Sequence, residues 1–123
     1  MKKRVVAVLL LVAGTANASQ WVMLSRGTGG SVEYETTTLR RHGTHVLVWS
    51  RITYNQPQSG AGASYDQFMT RADFDCATDT MGLRGGSNLL KGKTVYTSTL
   101  QTDGDLIEPD SIYYHVEQAV CKR

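Results

Sequence analysis

Three stretches of the chain alternate apolar and polar residues with the two-residue period of a strand that buries one face. Val32-Glu33-Tyr34-Glu35 is the first. The longest, Thr44 to Tyr54, is dense in β-branched and aromatic residues, which suit a pleated, half-buried surface. Val46, Val48, Ser50, Ile52 and Tyr54 share one side of it. His45, Arg51 and Thr53 share the other with Leu47 and Trp49, so that second side is not purely solvated. The alternation returns at Met69, placing Thr70, Ala72, Phe74 and Cys76 opposite Arg71, Asp73 and Asp75. Thr94 to Leu100 reads as a further strand, entered by a Lys91-Gly92-Lys93 turn and left by Asp103-Gly104-Asp105. Gly27 to Ser31 lies between two strand candidates and reads as a flexible hairpin loop. Arg40 to Gly43 reads as a turn, and Asn55 to Ser64 and Arg84-Gly85-Gly86 as loops.

The period changes near the C-terminus. Pro109-Asp110-Ser111 is a helix-entry signal, with Asp110 or Ser111 as N-cap. Ile112, Val116, Ala119 and Val120 then fall within about a third of the circumference at ~100° per residue. Cys121 sits well off that stripe, so its pairing with a sheet residue requires the last turn to fray or tighten. The expected fold is α+β: a mostly antiparallel sheet with one C-terminal helix packed on it.

The N-terminus changes the reading of charge. Lys2, Lys3 and Arg4 precede an apolar run from Val5 to Ala13, which closes in Gly14-Thr15-Ala16-Asn17-Ala18. This is the pattern of a secretory signal peptide, predicting residues 1–18 as the signal, cleavage between Ala18 and Ser19, and a single domain over 19–123. The apolar run is too short to cross a ~30 Å hydrocarbon core, and no other stretch is apolar enough. No cysteine stands immediately after the cleavage site, so no lipid anchor is expected there. Taking Lys2, Lys3 and Arg4 from the 13 basic residues leaves 10 against 11 acidic ones. The remaining domain is close to neutral, which argues against a nucleic-acid partner. Its only cysteines, Cys76 and Cys121, form an even pair in a chain bound for an oxidising compartment and predict a disulfide.

No residue pattern assembles into a catalytic or cofactor site. His42-x-x-His45 offers two imidazoles, but a zinc site needs a third ligand, and surface histidines across a turn explain the spacing. Gly92-Lys93-Thr94 resembles the end of a phosphate-binding loop, yet the required glycine position holds Ser87 and a strand, not a helix, follows. Asp73 and Asp75 could form a carboxylate pair, although beside Arg71 they read as a solvated face. No serine occupies a G-x-S-x-G elbow, and paired cysteines are not nucleophiles.

The order of Trp21, Tyr34-Glu35, the Val46-Leu47-Val48-Trp49 strand after a glycine turn, Asp75-Cys76, Pro109-Asp110-Ser111 and Cys121 resembles the surface-adhesin protein E family of bacterial envelope proteins. The resemblance spans Trp21 to Cys121 and implies a compact sheet, a C-terminal helix and a disulfide between Cys76 and Cys121. It also implies a non-enzymatic binding role toward host matrix or plasma glycoproteins. The alternative is a soluble periplasmic accessory or inhibitor that binds an envelope protein. Export to the periplasm, with the cell surface or medium as other destinations, follows from the signal segment. No cofactor is expected.

Overall fold

The computed structural model describes residues 18–122, so the signal segment, apart from Ala18, lies outside the described residues. Eight strands and one helix follow one another: β1 (Trp21–Arg26), β2 (Gly30–Glu35), β3 (Arg40–His42), β4 (His45–Gly60), β5 (Ala63–Asp75), β6 (Thr80–Leu90), β7 (Lys93–Gln101), β8 (Asp105–Leu106) and α1 (Ile112–Val120). All strands join one antiparallel sheet in the order β1-β2-β4-β5-β6-β7, with β3 beside β4 and β8 beside β6. From β3 to β7 each strand lies beside the next in sequence, as short connections favour, whereas β2 skips β3 to pair with β4 and β8 skips β7 to pair with β6.

The alternation assigns the faces. Val32 pairs with Ile52, and Val46 with Phe74, so the apolar positions of adjacent strands stack into one layer. With Val48, Ala72 and Met81 they form a core closed by Val116 and Val120 of α1. Ser50 and Thr70 are buried in the same layer, and the Thr70 hydroxyl donates to the Gly85 carbonyl. Among the described residues α1 is the only element off the sheet, so the opposite face has no second layer.

Cys76 and Cys121 are joined, with Cα atoms 5.6 Å apart and a separation of 45 positions in sequence. The expected fraying of α1 does not occur: the Cys121 amide donates to the Glu117 carbonyl at 2.8 Å, an ordinary helical bond. The helix is instead rolled. Its covered residues are Tyr113, Val116, Glu117 and Val120. Their mean direction lies about 65° around the axis from the predicted stripe, at ~100° per residue. That roll turns Cys121 toward the sheet, leaves Ile112 41% exposed and buries Glu117 to 3% exposure. Ser111 is the N-cap, accepting from the Tyr114 amide, and Arg41 donates to the Val120 carbonyl at 2.7 Å, satisfying an orphan acceptor at the helix end.

Three expected loops are corrected. Asn55 to Ser64 is mostly strand: β4 and β5 continue to a two-residue turn at Ala61-Gly62, both with positive φ, the conformation that matches hairpin twist. Its small and polar residues misled because this end of the hairpin extends beyond the core, where no alternation is enforced. Asn55, Gln56 and Pro57 have no partner on β5 and form a bulge, with the Asn55 amide donating instead to the Gly29 carbonyl at 3.2 Å, and a bulge is where proline is tolerated inside a strand. Arg40 to His42 is β3, and the turn is confined to Gly43-Thr44. Arg84-Gly85-Gly86 lies inside β6, at a register shift against both neighbours. A loop joins β1 to β2 as expected, but it is confined to Gly27–Gly29: Gly30 and Ser31, expected in the loop, already pair with Tyr54 and Thr53 as the start of β2.

Candidate functional site

Two regions carry unusual chemistry, one at the mouth of the core and one on the uncovered face. The first exists because α1 covers only part of the apolar layer. Val32, Ile52 and Tyr54 floor a cleft of about 500 Å³, with Ile112 and His115 on one wall and the Gly27–Gly29 loop on the other. Gly30 holds that loop close to β4: its φ is +151°, and a Cβ there would meet the Thr53 carbonyl oxygen at 2.1 Å. Asn55, in the bulge, fastens the loop by donating from Nδ2 to the Gly27 and Thr28 carbonyls at 3.1 and 2.8 Å. An apolar floor with a polar rim can take an apolar side chain or ring from a partner. Tyr54 stacks edge-on against Tyr65 with ring centres 5.9 Å apart, and burial pushes its hydroxyl pKa up.

The uncovered face is aromatic and charged. Arg51 lies 4.1 Å over the Trp21 ring and pairs with Glu33 at 3.1 Å. Trp49 and Arg71 are directly opposed on β4 and β5. Toward the far end, His45 Nδ1 donates to Asp73 at 2.9 Å, and its Nε2 lies 3.6 Å from Asp75. Hydrogen bonding to Asp73 raises the His45 pKa, with the charge on the same carboxylate adding to it. The Ala77 amide, donating at 3.0 Å, is the main cause that lowers the Asp75 pKa. Arg84 completes the network, reaching Asp73 at 3.1 Å and Asp103 at 2.6 Å and donating to the Thr102 carbonyl at 2.6 Å.

This arrangement redistributes the predicted residues. His42 and His45 face each other across the turn, but His45 is directed to the two aspartates. Asp73 is balanced by Arg84 and His45, not by Arg71 as the sequence suggested, because Arg84 stands two residues along β6 from Gly82, the cross-strand partner of Asp73. Among the described residues no group of three or more His, Cys, Asp or Glu side chains could hold a metal ion, and no hydroxyl or thiol is hydrogen-bonded to His45. Cys76 and Cys121 are held in the disulfide. Arg84 and the cleft were not foreseen. Arg84 sits in a glycine-rich triplet that reads as a loop, and the cleft gathers residues from three distant segments that share no motif.

A disulfide-clipped helix on one antiparallel sheet, its other face open and bearing paired aromatic and cationic residues, defines a small domain equipped for surface recognition. The sequence model of the surface-adhesin protein E family matches residues 21–122, and the chain belongs to that family. A search of curated proteins and a search of solved structures returned no match. No helix among the described residues is long and apolar enough to cross a membrane.

Proposed function

We infer that this protein is an exported, non-enzymatic binding module that recognises a protein partner, with host matrix or plasma glycoproteins as the partner class. The observation that carries this reading is the uncovered sheet face, where half-buried Trp21, Trp49, Arg51, Arg71 and Arg84 gather on a rigid scaffold. Tryptophan and arginine are the residue types that dominate binding energy at protein interfaces. Family membership supports the adhesin-like role. In this reading residues 1–18 are removed between Ala18 and Ser19, and the mature domain is 19–123. Solid-phase binding of that domain to matrix and plasma glycoproteins tests it. Saturable binding above an unrelated exported control supports the reading, and its absence across the panel refutes it.

A second reading is a soluble periplasmic accessory or inhibitor acting on an envelope protein. It is favoured by the absence of a cysteine for lipid attachment next to Ala18. Protease treatment of intact cells separates the two. Digestion of the native protein supports surface display, whereas protection, with release alongside the periplasm, supports the accessory role.

A further inference from the structure

We propose that the groove beside Trp49 on the uncovered face is a saccharide subsite that takes one pyranose ring. The proposal rests on the binding-module reading and names the chemistry of one of its contacts. The groove is a shallow depression of about 310 Å³, open to solvent on one side and bordered by Trp49 from β4, Arg84 and Ser87 from β6, and Thr97 and Gln101 from β7. Its size is at the low end of the ~300–1,000 Å³ typical of small-molecule sites, which suits a single ring.

The groove is built into the backbone. β6 shifts register against β5 between Thr70 and Ala72, and against β7 between Arg84 and Gly86. Both shifts meet at Gly85, whose φ is +74° and where a Cβ would lie 2.9 Å from the Ser98 carbonyl oxygen. Only glycine fits that bend without strain, and the local kink leaves a depression in an otherwise pleated surface.

The lining matches the two surfaces of a sugar. A pyranose presents flat patches of C–H groups, which pack well against an aromatic ring, and a rim of hydroxyls that both donate and accept. Trp49 supplies the aromatic wall. Ser87, Thr97 and Gln101 supply groups that likewise donate and accept. The Ser87 and Thr97 oxygens are 3.4 Å apart, a long contact that leaves both hydroxyls available to a ligand. Arg84 is already engaged by Asp73, Asp103 and the Thr102 carbonyl. It therefore serves as a fixed wall rather than an open anion site. A neutral or weakly acidic sugar fits this set better than a phosphate.

The ring has two possible sources, a host glycan or the glycan of the cell's own envelope. The test uses the mature domain, whose two tryptophans, Trp21 and Trp49, are followed separately by their indole N–H signals in NMR. Lactose, sialyllactose, an N-acetylglucosamine trimer and soluble muropeptides are titrated while the Trp49 indole N–H and the backbone amide chemical shifts are followed. The expected result is a saturable response to at least one of them, confined to residues 84–87, 97–101 and the Trp49 neighbourhood. Gln101→Ala, an exposed change that spares the core, and Trp49→Ala each weaken it by at least about tenfold. If Trp49→Ala does not fold, Gln101→Ala and Thr97→Val decide the matter. No saturable response up to about 10 mM, the weak end for a single-ring ligand, overturns the subsite. Response to the muropeptides alone assigns the ring to the envelope, and response to lactose or sialyllactose assigns it to the host. In the solid-phase assay, equal binding to enzymatically deglycosylated partners refutes the subsite and leaves the binding-module reading intact. Binding to a saccharide but to no glycoprotein refutes the host-partner reading and leaves the subsite standing.

Discussion

Replacing Glu35 by glutamine removes one charge from a turn that is built around it. The carboxylate accepts from the Gln20 amide at 3.2 Å, the Thr37 amide at 2.7 Å and the Thr37 hydroxyl through one oxygen. Its other oxygen accepts from the Thr38 amide at 2.9 Å and the Thr38 hydroxyl. Burial by itself would raise the pKa, but the hydrogen bonds from Thr37 and Thr38 outweigh it and hold the group at about 2. A folded-state pKa below the unfolded value of 4.5 means stability that is fully present above pH 4.5 and is lost as pH falls through about 2. That difference corresponds to at most about 3 kcal/mol, and solvent screening at a turn roofed by exposed threonines reduces it to roughly 1–2 kcal/mol. An amide has one acceptor and one donor where the carboxylate has two acceptors, so Glu35→Gln turns an N–H toward one set of donors. The expected loss at pH 7 is about 2 kcal/mol, a urea midpoint shift on the order of 1 M for a domain of this size. Urea titrations of both proteins, disulfide intact, at pH 7, 5, 4 and 3 measure the gap. It should close as pH drops below 4.5, since all other carboxylates are common to both. A gap that is the same at pH 3 as at pH 7 would falsify the assignment of this stabilisation to the Glu35 charge.

Breaking the Cys76–Cys121 link by the double change to alanine should cost up to about 4 kcal/mol, because it frees a long loop in the unfolded chain; matched denaturation curves measure it. Phe74→Ala empties the centre of the core and should cost about 3–5 kcal/mol, with a change below ~1 kcal/mol in the same assay showing that the site is not close-packed. Glu117 is buried with one oxygen lacking a hydrogen-bond partner, and burial, followed by the charge of Asp79, raises its pKa. A raised carboxyl pKa destabilises the fold above that pKa, and the penalty is relieved as the group protonates on acidification. Glu117→Gln should therefore raise the melting temperature at pH 8 and lose its advantage toward pH 4, and a lower melting temperature at pH 8 would contradict this account. The His45 imidazole should titrate above its ordinary value in an NMR experiment and return toward it in Asp73→Asn, where an unchanged midpoint would assign the shift elsewhere.

How much could be read from the chain varied with how strongly burial constrains each segment. Val46, Val48, Ser50 and Ile52, like Thr70, Ala72 and Phe74, fall on the predicted face because each strand crosses the core and one face must stay dry. Asn55 to Gly60 crosses nothing, so its strand carries no alternation and reads as loop. The helix was visible through its Pro109-Asp110-Ser111 entry and its period, but its roll was not. A disulfide and packing against the sheet chose Tyr113 and Glu117 over Ile112 and Ala119, and local hydropathy favours the opposite choice.

The candidate sites follow the same division. Asp73 and Asp75 could be placed on one strand face from spacing alone, yet their partners His45 and Arg84 come from flanking strands whose register decides who meets whom.

What the amino-acid sequence determined by itself is therefore the class of fold, the cysteine pair, the faces of the central strands and the resemblance to an adhesin family. Those depend on periodicity, composition and order along the chain, which are local or one-dimensional properties. The tertiary structure alone decided which way α1 is turned, that a cleft opens between Ile112 and the Gly27–Gly29 loop, and that Trp49 overlooks a groove centred on Gly85. Each of these depends on register shifts and on contacts between residues far apart in sequence, and no local pattern encodes where two strands slip by one residue or how a helix settles against them.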